Sequence, residues 1–441
     1  MRPTIGIRHE DKSVWERRVP LTPDHVRTLI ESHGVDVLVE PSATRIFPDD
    51  AYREVGATLT ADLSPSNVIV GVKEIPAAKL LPGQAYLYFS HVIKGQAYNM
   101  VMLRTLLDQG CHLLDYEKVC DDDGRRLIFF GRHAGLAGMI DTLWALGQRL
   151  KLEGVETPLS EVKRAHAYAD LEEVREHLRG IGARLASAGI PAQLRPLVFG
   201  FTGYGNVSQG AQEIIDLLPT VELTPAQLEQ GALDDVDPAT QLIKVVFHEE
   251  HMVAPREQDH AFVLQEYYDH PERYQGVFAR YLPRLSALIN CVYWDTIYPR
   301  LLSREDARRL GADPTSRLRV IGDISCDIEG GVEITLKPTT VDAPTFVYDP
   351  ATDVATDGLE GPGFLIMAID NLPCELPADA SRSFGDALVG LAPALAAADF
   401  AAATDTLALP PALKRALIVH QGRLAPGFEY LQQYLEGVAQ A

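Results

Sequence analysis

At 441 residues, 46% hydrophobic and 23% charged, the chain has a normal globular composition and is too long for one ordinary domain; two or three are expected. A formal net charge of −21, from 40 basic and 61 acidic side chains, argues against nucleic acid or an anionic membrane as the main partner, since either would favour a basic face. Five scattered cysteines without a CxxC pair read as reduced thiols, not as a zinc site or a disulfide frame. With no signal-like segment and no apolar run near the ~20 residues that span a bilayer, a cytoplasmic location is expected.

In chain order, the first hundred residues alternate strand and helix. Residues 5–7 read as a strand, and Thr22 with Pro23 opens a helix to about Ser32. Residues 35–40, 68–72, 86–89 and 112–116 read as strands, with helices over 49–55 and 98–109 between them. Such alternation predicts a mostly parallel, doubly wound sheet. A long helix over 136–150 and helical stretches over 161–169 and 171–188 lead to a second strand-rich region at 197–201, 221–223, 242–247, 287–294 and 319–324. Strands at 345–348 and 364–369 and an alanine-rich helical tail follow, and the tail is expected to pack back onto the first domain.

The strand at 197–201 runs into Gly203, Tyr204, Gly205, Asn206 and Val207, then an amphipathic helix. Two glycines in such a turn let the backbone approach a pyrophosphate, and the helix start supplies free N–H groups. Ser208 stands where a third glycine or alanine is usual, but it is small, and Gly210 and Ala211 are expected to keep the helix close to the strand. Glu222, at the end of the next strand, is the expected partner of the ribose hydroxyls. With no arginine directly beside it to take a 2′-phosphate, the reading leans to NAD over NADP. A glycine turn can also be purely structural, and Glu222 a solvated carboxylate.

Strand ends in the first domain collect charged groups: Arg8 leading to Lys12, Glu16 and Arg18, then Lys73 with Glu74, Ser90 with His91 and Lys94, and Glu117. Ligands of parallel sheets bind beyond the carboxyl ends of the strands. In so acidic a chain these cations suggest an anionic small substrate. Histidine exchanges protons near neutral pH, and a lysine among other cations is pushed towards doing so.

Arg8, Lys12, Glu16, Arg18, residues 21–23 (LTP) and 71–74 (GVKE) resemble the alanine dehydrogenase and transhydrogenase N-terminal superfamily. Residues 90–96 (SHVIKGQ) and 115–138 (DYEKVCDDDGRRLIFFGRHAGLAG) resemble lysine-forming saccharopine dehydrogenases, also called lysine–2-oxoglutarate reductases. Residues 205–214 (GNVSQGAQEI), 293–295 (YWD) and 322–327 (GDISCD) look closest to the reductase half of the bifunctional animal and plant protein. Nothing in the chain resembles that protein's second catalytic half, which splits saccharopine.

The resemblance implies two Rossmann-like, doubly wound α/β domains with a cleft between them. A substrate domain would comprise residues 1–137 plus 325–441, its C-terminal segment completing it, and a dinucleotide-binding domain residues 138–324. It further implies Lys73 and His91 as the acid–base pair and Arg18 as a substrate-carboxylate residue. Lys12, Glu74 and Glu117 become charged neighbours that tune the pair, Arg126 a further carboxylate contact, and Asp323 a residue at the nicotinamide end. Arg8 joins the substrate set from its strand-end position. The expected partners are a 2-oxo acid, an amino acid and NAD or NADP, with no metal and with homo-oligomers allowed. Two readings stay open beside this one: another amino-acid or opine dehydrogenase of the superfamily, and a dinucleotide-binding sensor without turnover.

Overall fold

The computed structural model describes residues 2–233, 236–257 and 259–436. The chain divides into two units, Met1–Phe130 with Pro377–Ala441, and Gly131–Leu376.

In the first unit, β1 (Thr4–Ile7), β2 (Asp36–Val39), β3 (Thr58–Leu59), β4 (Val68–Val70), β5 (Ala85–Tyr88) and β6 (His112–Asp115) are all parallel. Every residue of β4, β5 and β6 is buried, as expected of strands covered on both faces. The helix Pro23–His33 begins where Thr22 N–H donates to His25 Nδ1 at 3.2 Å and ends at Gly34, whose φ of +63° a glycine adopts without strain.

In the second unit, β7 (Val198–Thr202), β8 (Thr220–Leu223) and β9 (Leu242–Phe247) precede a small antiparallel pair, β10 (Val253–Pro255) with β11 (Tyr274–Gly276). Then come β12 (Ala287–Asn290), β13 (Val320–Asp323), β14 (Thr345–Asp349), β15 (Val354–Asp357) and β16 (Phe364–Met367). The main sheet runs β15-β14-β16-β13-β12-β7-β9-β8. Thus β9, not β8, lies beside β7, and β8 is an edge strand. The strand expected over 287–294 ends at Asn290.

Residues 325–376 differ from the expected division. The resemblance places them with the first domain, yet β16 pairs in parallel with β13 (Ile321↔Ile366) and β14 antiparallel with β16, extending the second sheet. Both strands are almost wholly buried, so their apolar side chains need the interior of a sheet, and β13 offers its free side. The segment that does return to the first unit begins at Pro377. There β17 (Leu417–His420) pairs antiparallel with β6, and β18 (Arg423–Leu424) with β17, completing the order β18-β17-β6-β5-β4-β1-β2-β3. The tail is therefore not only helical: the alanine-rich stretch forms helices Pro377–Leu388 and Ala392–Ala396, and the last element of the sheet is a strand. His25 Nε2 lies 3.0 Å from Asp386, pinning the returning helix. No helix among the described residues is long and apolar enough to cross a membrane.

Candidate active site

Because β1, β4, β5 and β6 are parallel neighbours, their carboxyl ends lie in one row. Lys73 and Glu74 follow β4, His91 follows β5, Glu117 follows β6, and Lys12 lies in the segment after β1. Glu74 is the hub of this row. Its Oε1 accepts from Lys12 Nζ at 2.7 Å and lies 3.2 Å from His91 Nδ1. Burial opposes the charge on Glu74, yet the hydrogen bonds from His91 and Lys12 hold its carboxyl down at about 2. His91 takes φ +52°, a conformation uncommon outside glycine, and Asn99 Nδ2 donates to its carbonyl at 3.2 Å. Burial, and then the cation of Arg18, push the Lys73 amine below its ordinary range, with Glu16 acting the other way.

Arg18 is 2% exposed and forks onto Glu16, Nε to Oε1 at 2.7 Å and Nη2 to Oε2 at 2.6 Å. Its guanidinium lies 4.3 Å over the Phe130 ring, which stacks on Phe384 of the returning helix at 4.9 Å. Arg18 thus acts on the row as a fixed buried charge. Asp115 laces β5 to β6 by accepting from the N–H groups of Ser90 (3.0 Å) and Glu117 (2.8 Å), and burial pushes it up to about 6. Arg126 is half-exposed, with Nη2 3.7 Å from Glu117 Oε1. Arg8 is not brought to this row. It is buried, pairs with Asp11 at 2.8 Å, and borders a separate small hollow with Glu40, Lys79 and Tyr86. Strand-end position alone does not tell that the Arg8 side chain is taken up by Asp11 and this hollow.

In the second unit, β7 turns through Gly203 (φ +79°) into the helix Asn206–Ile215, with Gly205 as N-cap. A Cβ on Gly203 would press on Val292 at 2.8 Å, whereas nothing lies within 4 Å of one on Gly205. One side of the turn is tight and the other open. Gly203, Tyr204 and Gly205 border a hollow of about 430 Å³ together with Glu249, Tyr268 and Trp294. Asn206 and Val207 form the first helical turn, whose N–H groups have no intrahelical partner. Ser208 is buried and accepts from Gln212 Nε2 at 2.9 Å.

Three expectations are corrected here. Glu222 does not border the hollow: it sits on edge strand β8, 57% exposed, 3.1 Å from Lys244 Nζ. The reason is strand order, since β9 occupies the place beside β7. Glu249, just past β9, borders the hollow instead and accepts from the Tyr268 hydroxyl at 2.8 Å. Gly210 thins a helix–helix contact, not a helix–strand one: a methyl there would overlap the carbonyl of Arg132, and one on Gly135 the carbonyl of Val207. Asp323 is fully buried and faces inward, accepting from Asn290 Nδ2 at 2.8 Å and Thr335 Oγ1 at 2.6 Å. Burial pushes it up to about 6. Through Asn290, which accepts from Thr202 Oγ1 at 3.0 Å, it braces the ends of β7, β12 and β13.

Sequence reasoning missed Glu249 and also Glu10, a buried carboxylate in the segment after β1 that accepts from the Val72 and Lys73 N–H groups. The first was detectable as an acidic pair (Glu249, Glu250) closing a buried strand, once strand order is known. The second had no local signal.

Fold and glycine turn together define the class: a chain of two Rossmann-like α/β units. Residues 6–137 carry the match to the family described as "Alanine dehydrogenase/PNT, N-terminal domain". The chain is 37% identical over 444 residues to an alpha-aminoadipic semialdehyde synthase of Arabidopsis thaliana, covering 97% of this chain and 41% of that one. It is 28% identical over 396 residues to the lysine-forming, NAD(+) saccharopine dehydrogenase of Yarrowia lipolytica, covering 87% and 90%. A solved L-alanine dehydrogenase shares the fold, with a TM-score of 0.62 at 20% identity over 99% of this chain and 100% of that one. The chain spans less than half the length of the semialdehyde synthases it matches.

Proposed function

We propose that this chain reductively condenses the side-chain amine of lysine with 2-oxoglutarate to saccharopine, and runs the reverse, using a nicotinamide cofactor. The observation that carries the proposal is Glu74 held between Lys12 and His91, beside a lysine whose amine burial has made easier to deprotonate. An alkyl amine with an ordinary pKa near ~10.4 arrives protonated and must lose a proton before it attacks a ketone. Lys73 takes that proton. His91, engaged at Nδ1 by Glu74, supplies from its other ring nitrogen the proton that removes water from the carbinolamine. Arg126 and Lys12 bring positive charge to the carboxylates of the oxo acid, and Arg18 and Glu117 set the local field.

The glycine turn fits a dinucleotide, because its open side at Gly205 admits a phosphate to the free N–H groups of the helix start. Gly203, Tyr204, Gly205, Asn206 and Val207 would hold the pyrophosphate and Glu249 a ribose, while Asp323 holds the neighbouring strand ends in register. When bound, the reduced nicotinamide supplies the hydride that the imine accepts. A carboxylate at the ribose repels a 2′-phosphate, so NADH is the expected form. A cytoplasmic location, in keeping with five cysteines that form no disulfide among the described residues, belongs to the same proposal.

Replacing Lys73 by methionine and His91 by glutamine tests the roles. Each variant is expected to lose about 10²-fold or more in kcat while binding reduced cofactor within about twofold of wild type, read by fluorescence titration. Full turnover in both variants would show the assigned roles to be wrong.

A further inference from the structure

β4 is flanked unequally where it ends. Towards β5 the ladder continues, Gly71 N–H donating to the Leu87 carbonyl at 3.1 Å and Phe89 N–H to the Val72 carbonyl at 3.0 Å. Towards β1 it stops, because β1 leaves the sheet after Arg8 N–H has donated to the Val70 carbonyl at 3.1 Å. The next N–H groups on that side, those of Val72 and Lys73, face no strand. The Glu10 carboxylate takes both: Oε1 accepts from Val72 at 2.7 Å and Oε2 from Lys73 at 2.9 Å. Glu10 is 6% exposed, and a Cβ on Gly71 would come within 3.2 Å of its Oε1, so the carboxylate is closely seated.

A buried carboxylate is a costly way to end a strand, since desolvating the charge opposes it. Burial, and then Glu16, do push Glu10 up to about 7, against Arg8 and the two amides. What the arrangement secures is the backbone directly under the two residues that reach the charged row, Lys73 and Glu74. We propose that Glu10 is a positioning residue for the reaction: its two oxygens clamp the Val72 and Lys73 amides and so fix the turn from which Lys73 and Glu74 reach the row that includes His91. The inference rests on the reading above that Lys73 moves a proton. It concerns only how that lysine is held.

Glu10→Gln tests it nearly isosterically, because a carboxamide offers one accepting oxygen and turns an NH2 towards the other amide. The full chain is used, with circular dichroism and thermal unfolding to establish that the variant is folded. Two readouts follow. The first is competitive acylation of Lys73 by acetic anhydride between pH 6 and 10, mapped by peptide mass spectrometry against exposed Lys151 as internal standard. The second is the split of kcat from KM. The expected result is a change of about threefold or more in relative Lys73 labelling and a fall in kcat of about tenfold, with KM for reduced cofactor within about twofold. A folded variant with wild-type Lys73 labelling and wild-type kcat would overturn the clamp. Should Glu10→Gln not fold, Glu10→Asp, which keeps the charge but is too short to reach both amides, must show the same two changes or the proposal fails. A wild type that turns over no oxo acid and amine would count against the proposed reaction, and the labelling would then decide the clamp by itself.

Discussion

Glu74 shows how much of the site hangs on one carboxylate. It sits between a cation from the β1 segment and a histidine from the β5 end, and those two hydrogen bonds outweigh burial to bring it from its ordinary 4.5 to about 2. A carboxyl depressed on folding contributes stability that is present above its unfolded pKa and is lost as pH falls through the folded one. The contribution of Glu74 should therefore be full above about pH 5 and fade towards pH 2. Glu74→Gln should cost up to about 3 kcal/mol at pH 7, with the gap to wild type narrowing as pH falls below 4.5. Urea midpoints across that range check it, and a gap independent of pH would mean the ion pairs add nothing. Lys73, Glu74, His91 and Lys12 were legible as strand-end residues of types suited to proton transfer. Arg8 and Glu222 were misread for one reason: spacing along the chain says which residues end strands, but not which way a side chain turns or which strand lies next door.

Most strands of both sheets, and the helices between them, could be read from alternation and turn residues, because buried parallel strands are short apolar runs bounded by polar turns. The strands β17 and β18 and the pairing of β14 and β16 could not, since nothing local marks a partner three hundred residues away or a free sheet edge. The helix crossing at Gly135 and Gly210 is a further case. Both glycines are visible in the sequence, but that each backbone rests on the other's carbonyls is a fact of packing. It carries a prediction: Gly210→Ala should destabilise the second unit by about 1–3 kcal/mol, seen as a drop of several degrees in its thermal transition. Dinucleotide affinity should weaken with it, because Gly210 lies on the helix whose start forms the glycine turn. An unchanged transition would show that the two helices can separate freely.

At the scale of the whole molecule, the acidity of the chain and the basic row in its first unit point the same way. A net charge of −21 disfavours polyanions, while Lys12 and Arg126, beside Glu74 and Glu117, suit a small dicarboxylate. The two-unit plan was legible, and the place of residues 325–376 was not, because membership of a sheet is decided by pairing alone. The central claim, reductive coupling of lysine to 2-oxoglutarate, is tested most directly by following cofactor absorbance at 340 nm while 2-oxo acids are screened against amines with NADH and NADPH. Oxidation is expected with 2-oxoglutarate plus lysine, faster with NADH, and little with pyruvate plus ammonia. No turnover with lysine at millimolar concentration, or turnover with ammonia in its place, would contradict it.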